Sequence, residues 1–251
     1  MRRHAILIGY SGWDINGTAP LQGVSKDLIN YRNYLKSDNG GAWLDEEITI
    51  LEDKSRTQIE TKLLSIRSIA YDMVFSVFSG HGDYDDIDNY CRRLEISKNE
   101  TILEKSLWGL AKRQILIFDS CSGLRSQECI FAGESKSRSL MEFSSADNPA
   151  RRLYETRCMQ CPPQQLKLYA AKVGTFARDT SNGGKYSSEL LKLMGNSSFE
   201  MDIVEAHDMA AKIIYNQTFD GFDENSAQKP EKDVPRVHNY LPGVIHVSKM
   251  F

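Results

Sequence analysis

Two residues of the sequence could together cut a peptide bond, because each follows a strand-like segment and stands among small, polar neighbours. The run 73–78 leads into Ser-Gly-His81-Gly, and the run 115–118 leads into Asp-Ser-Cys121-Ser-Gly. A free thiol, with a pKa of about 8.5, is mostly protonated at neutral pH, and a nearby imidazole lets it react as a thiolate. We therefore predict Cys121 as a nucleophile and His81 as its proton-handling partner.

Only the combination of His81 and Cys121 supports this prediction. A single histidine after a strand is more often structural, and a single cysteine there is usually a small buried apolar residue. The glycines around both permit tight turns and let backbone N–H groups approach a substrate carbonyl. The amides of Gly82 and Cys121 are therefore our candidates for an oxyanion hole, in which each donor typically lowers the barrier by about 3–4 kcal/mol.

The elements that must position this pair alternate between strands and helices. Apolar runs predict strands at 4–9, 47–51, 72–78, 114–118 and 166–171, and helical spacing predicts helices at about 20–37, 57–70, 185–195 and 202–217. Residues 243–247 could form a last strand. Strands separated by helices predict an α/β fold with a mostly parallel sheet covered on both faces. Polar groups that follow parallel strands then gather at one edge.

The stretch 123–163 breaks this pattern, since it is rich in Ser, Glu, Lys and Arg and has no sustained period. We interpret 124–163 as a mobile loop that divides a single domain into a front part, 1–123, and a back part, 164–251. Its arginines could be sites of activating cleavage; the alternative is an ordinary solvated insertion. They are Arg125, Arg138, Arg151, Arg152 and Arg157.

Composition excludes several classes of function. The 251 residues are 41% hydrophobic and 26% charged, with a net charge of −3 and no basic run, so nucleic acid is not an expected partner. No apolar stretch reaches the roughly 20 residues that span a bilayer. The start, Met-Arg-Arg-His, does not resemble a secretory signal. Five unevenly scattered cysteines do not indicate a disulfide framework, so we expect a reducing, cytoplasmic location.

Three blocks resemble the caspase/metacaspase clan of cysteine peptidases. FSGHGD at 78–83 and LIFDSCSG at 116–123 are similar to its histidine and cysteine motifs. Leu21–Asp27 resembles the metacaspase segment after the first strand, with Val24 in place of its cysteine. The likeness is closer to metacaspases and bacterial caspase-like proteins than to animal caspases. The resemblance is good over residues 4–123 and loose over residues 166–250. It implies a three-layer sandwich and a Cys–His dyad without an organic cofactor.

The resemblance also implies a substrate preference. In metacaspases, the acids equivalent to Asp27 and Asp119 line the pocket for the residue before the cut, with the equivalent of Ser79 nearby. Two carboxylates in a partly buried pocket resist ionisation unless a cation joins them, and a substrate Arg or Lys supplies that cation. No Arg or Lys stands beside either motif, so cleavage after Asp is disfavoured. The alternative for Asp27 is a pairing role on a helix surface.

Weaker signals have ordinary alternatives. An acidic cluster after His81 could bind calcium, as in calcium-activated metacaspases, but it lacks EF-hand order, and a solvated loop is the preferred interpretation. Its members are Asp83, Asp85, Asp86 and Asp88. Cys158 and Cys161 form Cys-x-x-Cys without the further ligands that zinc needs. His207, His238 and His246 are expected to be structural.

The prediction is thus a cysteine endopeptidase that acts on protein or peptide substrates, with an activating protease or a regulatory protein as a further partner. One rival is a catalytically silent module of the same fold, which would not need both His81 and Cys121. The other is an unrelated doubly wound enzyme. It is weakened because the chain has neither Gly-x-Gly-x-x-Gly nor Gly-x-Ser-x-Gly.

Overall fold

The structure is a computed structural model that describes residues 1–12, 20–87, 89–123 and 147–246. Strands and helices alternate along most of the chain. The strands are β1 (Arg3–Tyr10), β2 (Ile48–Glu52), β3 (Met73–Gly80), β4 (Gly82–Asp85), β5 (Cys91–Ser97), β6 (Glu100–Leu103), β7 (Arg113–Asp119), β8 (Gln164–Tyr169), β9 (Asp179–Thr180), β10 (Gly183–Gly184), β11 (Met201–Asp202), β12 (Glu231–Asp233) and β13 (Pro242–Val244). The helices are α1 (Val24–Lys36), α2 (Arg56–Ile69), α3 (Pro149–Gln160), α4 (Lys185–Asn196) and α5 (Ile203–Thr218).

A six-stranded sheet in the order β12-β8-β7-β3-β1-β2 forms the centre of the molecule. The pairings β1–β2, β1–β3, β3–β7 and β7–β8 are all parallel, and only the short edge strand β12 runs antiparallel to β8. Parallel neighbours need crossover connections, and the helices between the strands supply most of these. The predicted, mostly parallel sheet is confirmed.

Both faces of this sheet are covered, as the near-continuous apolar runs of its strands predict. On one face, Ala5 and Leu7 of β1 pack with α1, α3, α4 and α5. On the other face, Ile6 and Ile8 pack with α2 and with the small sheet β4-β5-β6. Successive residues of one strand thus enter opposite cores. The result is the expected three-layer sandwich.

The predicted helices follow from their apolar spacing and their first residues. Helix α1 buries Leu28, Tyr31 and Leu35 on the face towards the sheet. Helix α2 begins after Ser55, whose hydroxyl accepts from the amide of Gln58 in a capping box. Local sequence and tertiary packing agree at both helices, which is why their positions were predictable.

Part of the expected irregular stretch is helical, so the prediction of a loop was wrong for Pro149–Gln160. Asn148 caps α3 by accepting from the amide of Ala150, and a proline at the first helical position suits this start. The helix buries Ala150, Tyr154 and Cys158, which recur every four residues. The many charged residues between them hid this narrow apolar stripe. Residues 124–146 lie outside the described part.

Two further predictions need correction. The expected last strand is β13, but it ends at Val244 and pairs antiparallel with β11, outside the central sheet. Asp83 and Asp85 of the acidic stretch lie in β4 of the antiparallel sheet β4-β5-β6 rather than in an open loop, and Asp86 lies in the turn that follows. This small sheet matters for the site, because its first strand begins directly after His81.

Candidate functional site

His81 and Cys121 lie at the same edge of the central sheet. Strands β3 and β7 are parallel neighbours, and Ser79 stands opposite Asp119 in their register. Each strand therefore delivers the residue two positions further on to the same edge, and both His81 and Cys121 line one cleft there. The cleft contains about 300 Å³ of space between atoms, part of it open to solvent. The structure thus places these two residues, which are 40 positions apart in the sequence, in one cleft; their catalytic roles stay a prediction.

The imidazole of His81 lies directly against a backbone turn. A Cβ placed on Gly12 would stand 2.7 Å from Cδ2 and 2.8 Å from Nε2 of the ring. Gly12 has φ +82°, a conformation that favours glycine. The carbonyl of His81 accepts from the amide of Glu95 at 3.0 Å, so β5 holds its backbone. Burial lowers the pKa of His81, which keeps the ring neutral and able to accept a proton near neutral pH.

The thiol of Cys121 is largely shielded from solvent, with 5% of the residue exposed. Its Sγ donates to the carbonyl oxygen of Ala177 at 3.5 Å, so the loop after β8 borders the thiol. The neighbouring residue Ser122 donates its amide to Thr175 of the same loop at 3.0 Å. The nucleophile candidate is thus enclosed between β7 and this loop.

Gly82 packs closely against the segment that carries Cys121. A Cβ on Gly82 would lie 3.1 Å from both Cβ and Oγ of Ser120, which is closer than an ordinary side-chain contact. The hydroxyl of Ser120 is buried and has no hydrogen-bond partner among the described residues. The amides of Gly82 and Cys121 therefore belong to two backbone segments in contact, as a shared oxyanion site would need. Their catalytic role stays a prediction.

The predicted specificity residues come together in the same cleft. Ser79 donates its hydroxyl to Asp27 at 2.7 Å, and the amide of Gly184 donates to both oxygens of Asp27 at 3.0 Å. The amide of Ser187 donates to Asp119 at 2.9 Å. Both carboxyl groups are buried. The alternative for Asp27, a surface pairing role on its helix, is not what the structure has.

Burial also changes the proton affinity of these acids. Desolvation, and then the charge of Asp119, raises the pKa of Asp27 well above its usual range. Desolvation raises the pKa of Asp119 to about 6. Two buried carboxyl groups side by side disfavour each other's ionisation. Both acids therefore hold a proton more tightly than exposed carboxyl groups do.

A third acid, Asp179, lines the same cleft and was missed by the sequence reasoning. It lies in β9 and accepts from the amides of Gln22 and Gly23 at 2.7 and 3.2 Å. Desolvation raises its pKa as well. Glycines leave room for all three acids, because a Cβ on Gly23, Gly183 or Gly184 would overlap Asp179, Asp27 or Asp119 respectively.

Acidic residues outnumber basic ones among the described residues that line the cleft. In the ranges that the structure describes, no Lys or Arg forms an ion pair with Asp27, Asp119 or Asp179. Arg178 also lines the cleft, a basic residue that sequence proximity to the motifs could not reveal. Its guanidinium donates to the carbonyls of Thr218 and Ser226 at 3.2 and 2.9 Å, so it secures a neighbouring loop.

The acidic residues after His81 do not gather around a common point. Asp83 forms a paired hydrogen bond with Arg93 at 2.9 and 2.5 Å. Asp85 is buried and accepts from the amide of Ile87 and the side chain of Asn89. Among the described residues, no group of three acids, histidines or cysteines is arranged to hold a metal ion. Asp88 lies outside the described residues.

Cys158 and Cys161 are buried at the end of α3, and neither forms a disulfide. Burial raises the pKa of both thiols, which makes them poor nucleophiles. The thiol of Cys161 donates to the carbonyls of Arg157 and Tyr240. These contacts indicate a structural role at the end of a helix, where the sequence had suggested loop cysteines without a special role.

Three of the five arginines proposed as cleavage sites lie in the described part of the chain. Arg151, Arg152 and Arg157 lie within α3, and their guanidinium groups pair with Glu47, Asp147 and Glu200 respectively. A helix is not the extended backbone that a peptidase binds, so these three are poor cleavage sites while α3 is folded. Arg125 and Arg138 lie outside the described residues.

The remaining histidines lie away from the cleft. His207 is buried in α5, where its Nδ1 is 2.8 Å from the hydroxyl of Tyr186. Burial lowers its pKa to about 4, as expected for a neutral structural residue. Neither His238 nor His246 lines the cleft.

Comparisons with known proteins agree with this architecture. The family model described as the caspase domain matches residues 2–239. Among solved structures, caspase-1 from Spodoptera frugiperda is similar, with a TM-score of 0.62 and 15% identity. The match covers 92% of this chain and 86% of that chain. No curated protein matches the chain. None of the described helices is long and apolar enough to span a membrane.

Proposed function

Because the chain belongs to the caspase-domain family of peptidases, we propose that it is a cysteine endopeptidase with a dyad of Cys121 and His81. The observation that carries the proposal is that both side chains line one cleft at the carboxyl edge of the central sheet. Both are enclosed by protein on the inner side, yet the cleft opens to solvent. This is the arrangement that a nucleophile and a base need for a shared substrate.

The reaction follows from the chemistry of the two groups. His81 accepts the thiol proton of Cys121 as the sulfur attacks the scissile carbonyl, and the amides of Gly82 and Cys121 stabilise the oxyanion. The proton then passes from His81 to the leaving amine, and the C–N bond breaks to leave a thioester on Cys121. Water, deprotonated by His81, hydrolyses the thioester and restores the thiol.

The substrate preference is for Arg or Lys before the cut. Asp27, Asp119 and Asp179 are the charged groups that support this, since a bound guanidinium or ammonium group would compensate three carboxylates that have no cationic partner in the described structure. Arg can bond two carboxylates in fork geometry, so it is the preferred residue. A substrate Asp would add a fourth acid to the cleft, which disfavours it.

Peptides ending in aminomethylcoumarin test the activity and the preference together. Wild-type protein should release coumarin after Arg and Lys much faster than after Asp. In Cys121→Ala and His81→Ala, kcat should fall at least about 1,000-fold, as it does when a nucleophile or its base is removed from other peptidases. Equal release by wild type and Cys121→Ala would reject the proposal and leave a silent module of the same fold.

Self-processing and calcium are tested with the same preparations. Mass spectrometry of wild-type protein should find cleavage after Arg125 or Arg138, and Cys121→Ala should remain intact. An uncut wild type that still turns over peptide would reject activation by self-processing. The mechanism needs no cofactor, so we expect a chelator to leave the rate after Arg unchanged. A chelator-sensitive rate restored by Ca²⁺ would contradict that expectation.

A further inference from the structure

Strand β5 touches the loops of both dyad residues. The amide of Glu95 donates to the carbonyl of His81 at 3.0 Å. Three residues earlier on the same strand, Nε of Arg92 donates to the hydroxyl of Ser122 at 2.8 Å, directly after Cys121. One strand thus bridges the backbone of the base and the segment of the nucleophile.

Arg92 is buried, with 4% of the residue exposed, and its guanidinium joins four parts of the fold. Besides Ser122, it donates through Nη2 to the carbonyl of Ala171 at 3.1 Å and to Glu231 of β12 at 2.5 Å. Its Cζ lies 3.5 Å from the centre of the Tyr169 ring, at the end of β8. The planar, multi-donor guanidinium suits this task, and a lysine could not make all of these contacts.

Ser122 is held from three directions. Its amide donates to Thr175 at 3.0 Å, its carbonyl accepts from Gly174 at 2.7 Å, and its hydroxyl accepts from Arg92. The residue is fully buried. The loop from 171 to 175 is thus joined to the nucleophile segment by the backbone and, through Arg92, by a side chain.

A buried ion pair is weak grounds for stability, because desolvation of the two charges offsets their attraction. Apolar side chains of similar volume would fill the same space at no such cost. The contacts of Arg92 do fix geometry, since they set the distance between the segment of Cys121, the loop after β8 and the edge strand β12.

We propose that Arg92 is a positioning residue for the reaction, which holds the segment of Cys121 in reach of His81 and of the loop after β8. This proposal rests on the proposed peptidase activity. Arg92 is not among the residues that line the cleft, and its hydrogen bond to the nucleophile segment goes to Ser122. Its loss should therefore lower kcat more than it raises KM.

The test compares full-length Arg92→Gln, Arg92→Lys and Ser122→Ala with the control Arg113→Gln. Arg113 stands at the opposite end of β7 and donates to the carbonyl of Cys161, so its loss perturbs the same strand away from the site. For Arg92→Gln we expect kcat after Arg to fall about 10- to 100-fold, because a misplacement of about 1 Å can cost about 100-fold. KM should change less than threefold, and Arg92→Lys should recover part of the loss. Arg113→Gln should stay within twofold in kcat.

A second measurement does not need turnover. Iodoacetamide labelling, mapped by mass spectrometry, should modify Cys121 at least fivefold faster in Arg92→Gln, because the enclosed thiol becomes accessible when its segment loosens. If wild type lacks turnover but this labelling changes, the peptidase function fails and the positioning role stands. If Arg92→Gln folds and its kcat and its labelling rate at Cys121 equal those of wild type, the proposal is overturned. If Arg92→Gln does not fold, the same two readouts of Ser122→Ala decide.

Discussion

Replacement of Gly12 by alanine should move the imidazole of His81. The added methyl group would stand 2.7 Å from Cδ2 and 2.8 Å from Nε2 of the ring. An ordinary carbon contact is about 3.5 Å or more, so the ring must shift by roughly 0.7 Å. A misplacement of about 1 Å at a reacting group can cost about 100-fold in rate. We therefore expect kcat to fall about 10- to 100-fold.

The same substitution also strains the backbone, since Gly12 has φ +82°. A left-handed conformation costs a non-glycine residue about 1–2 kcal/mol, and we expect this loss in the free energy of unfolding. The control is Gly109→Ala, at φ +65°, where a Cβ would meet nothing within 4 Å. Gly109 lies before β7, away from the cleft. Gly109→Ala should therefore lower the free energy of unfolding by a similar amount and leave kcat unchanged.

The assay is coumarin release after Arg at saturating substrate, with thermal unfolding of each variant measured in the same buffer. If folded Gly12→Ala keeps the wild-type kcat, the ring of His81 either does not stand against Gly12 or does not act in the reaction. If Gly109→Ala loses as much activity as Gly12→Ala, backbone strain and not the ring displacement explains the effect.

Four further predictions concern Asp119, His81 and Glu47. Asp119→Asn should raise KM for Arg substrates about 10- to 100-fold, as expected when a charged hydrogen bond is lost; unchanged KM would remove Asp119 from the specificity site. The same variant should unfold with less pH dependence. The pKa of Asp119 is raised, so the native state binds more protons than the unfolded one and wild-type stability falls as pH rises from about 4 to 6. Because burial lowers the pKa of His81, the acid limb of kcat/KM should have its midpoint below pH 6.5, and a midpoint above that value would contradict the assignment. Glu47→Gln should lower the free energy of unfolding by about 1–3 kcal/mol, measured by urea titration, because Arg3 and Arg151 both bond to this carboxylate; kcat should stay within twofold.

The position of His81 and Cys121 at one edge of the sheet was predictable because their two motifs are local. His81 and Cys121 each follow a run of buried apolar residues, and parallel strands bring their carboxyl ends to one edge. The same reasoning places Asp119 at this edge, since it ends β7, but its specificity role came from the resemblance. Asp27 needed the resemblance, because nothing local to a helix shows which distant strand its carboxylate faces.

Asp179 and Arg92 could not be identified in this way. Asp179 lies in a two-residue strand without a sequence pattern, and only the fold brings it to Gln22 and Gly23. Arg92 looks like an ordinary charged residue of a surface strand, yet it is buried because Ser122, Glu231 and the ring of Tyr169 surround it. Successive side chains of β5 point to opposite faces of the strand, but no local signal indicates which of Arg92 and Arg93 points inward.

The central claim, that His81 activates Cys121 within a cleft for basic residues, is tested most directly by covalent labelling. A peptide chloromethyl ketone that ends in arginine should form one adduct per wild-type chain, located at Cys121 by mass spectrometry. The same reagent ending in aspartate should label Cys121 far more slowly. In His81→Ala, the arginine reagent should label Cys121 neither rapidly nor selectively. Labelling at Cys91, Cys158 or Cys161 in place of Cys121, or equal rates in wild type and His81→Ala, would contradict the account.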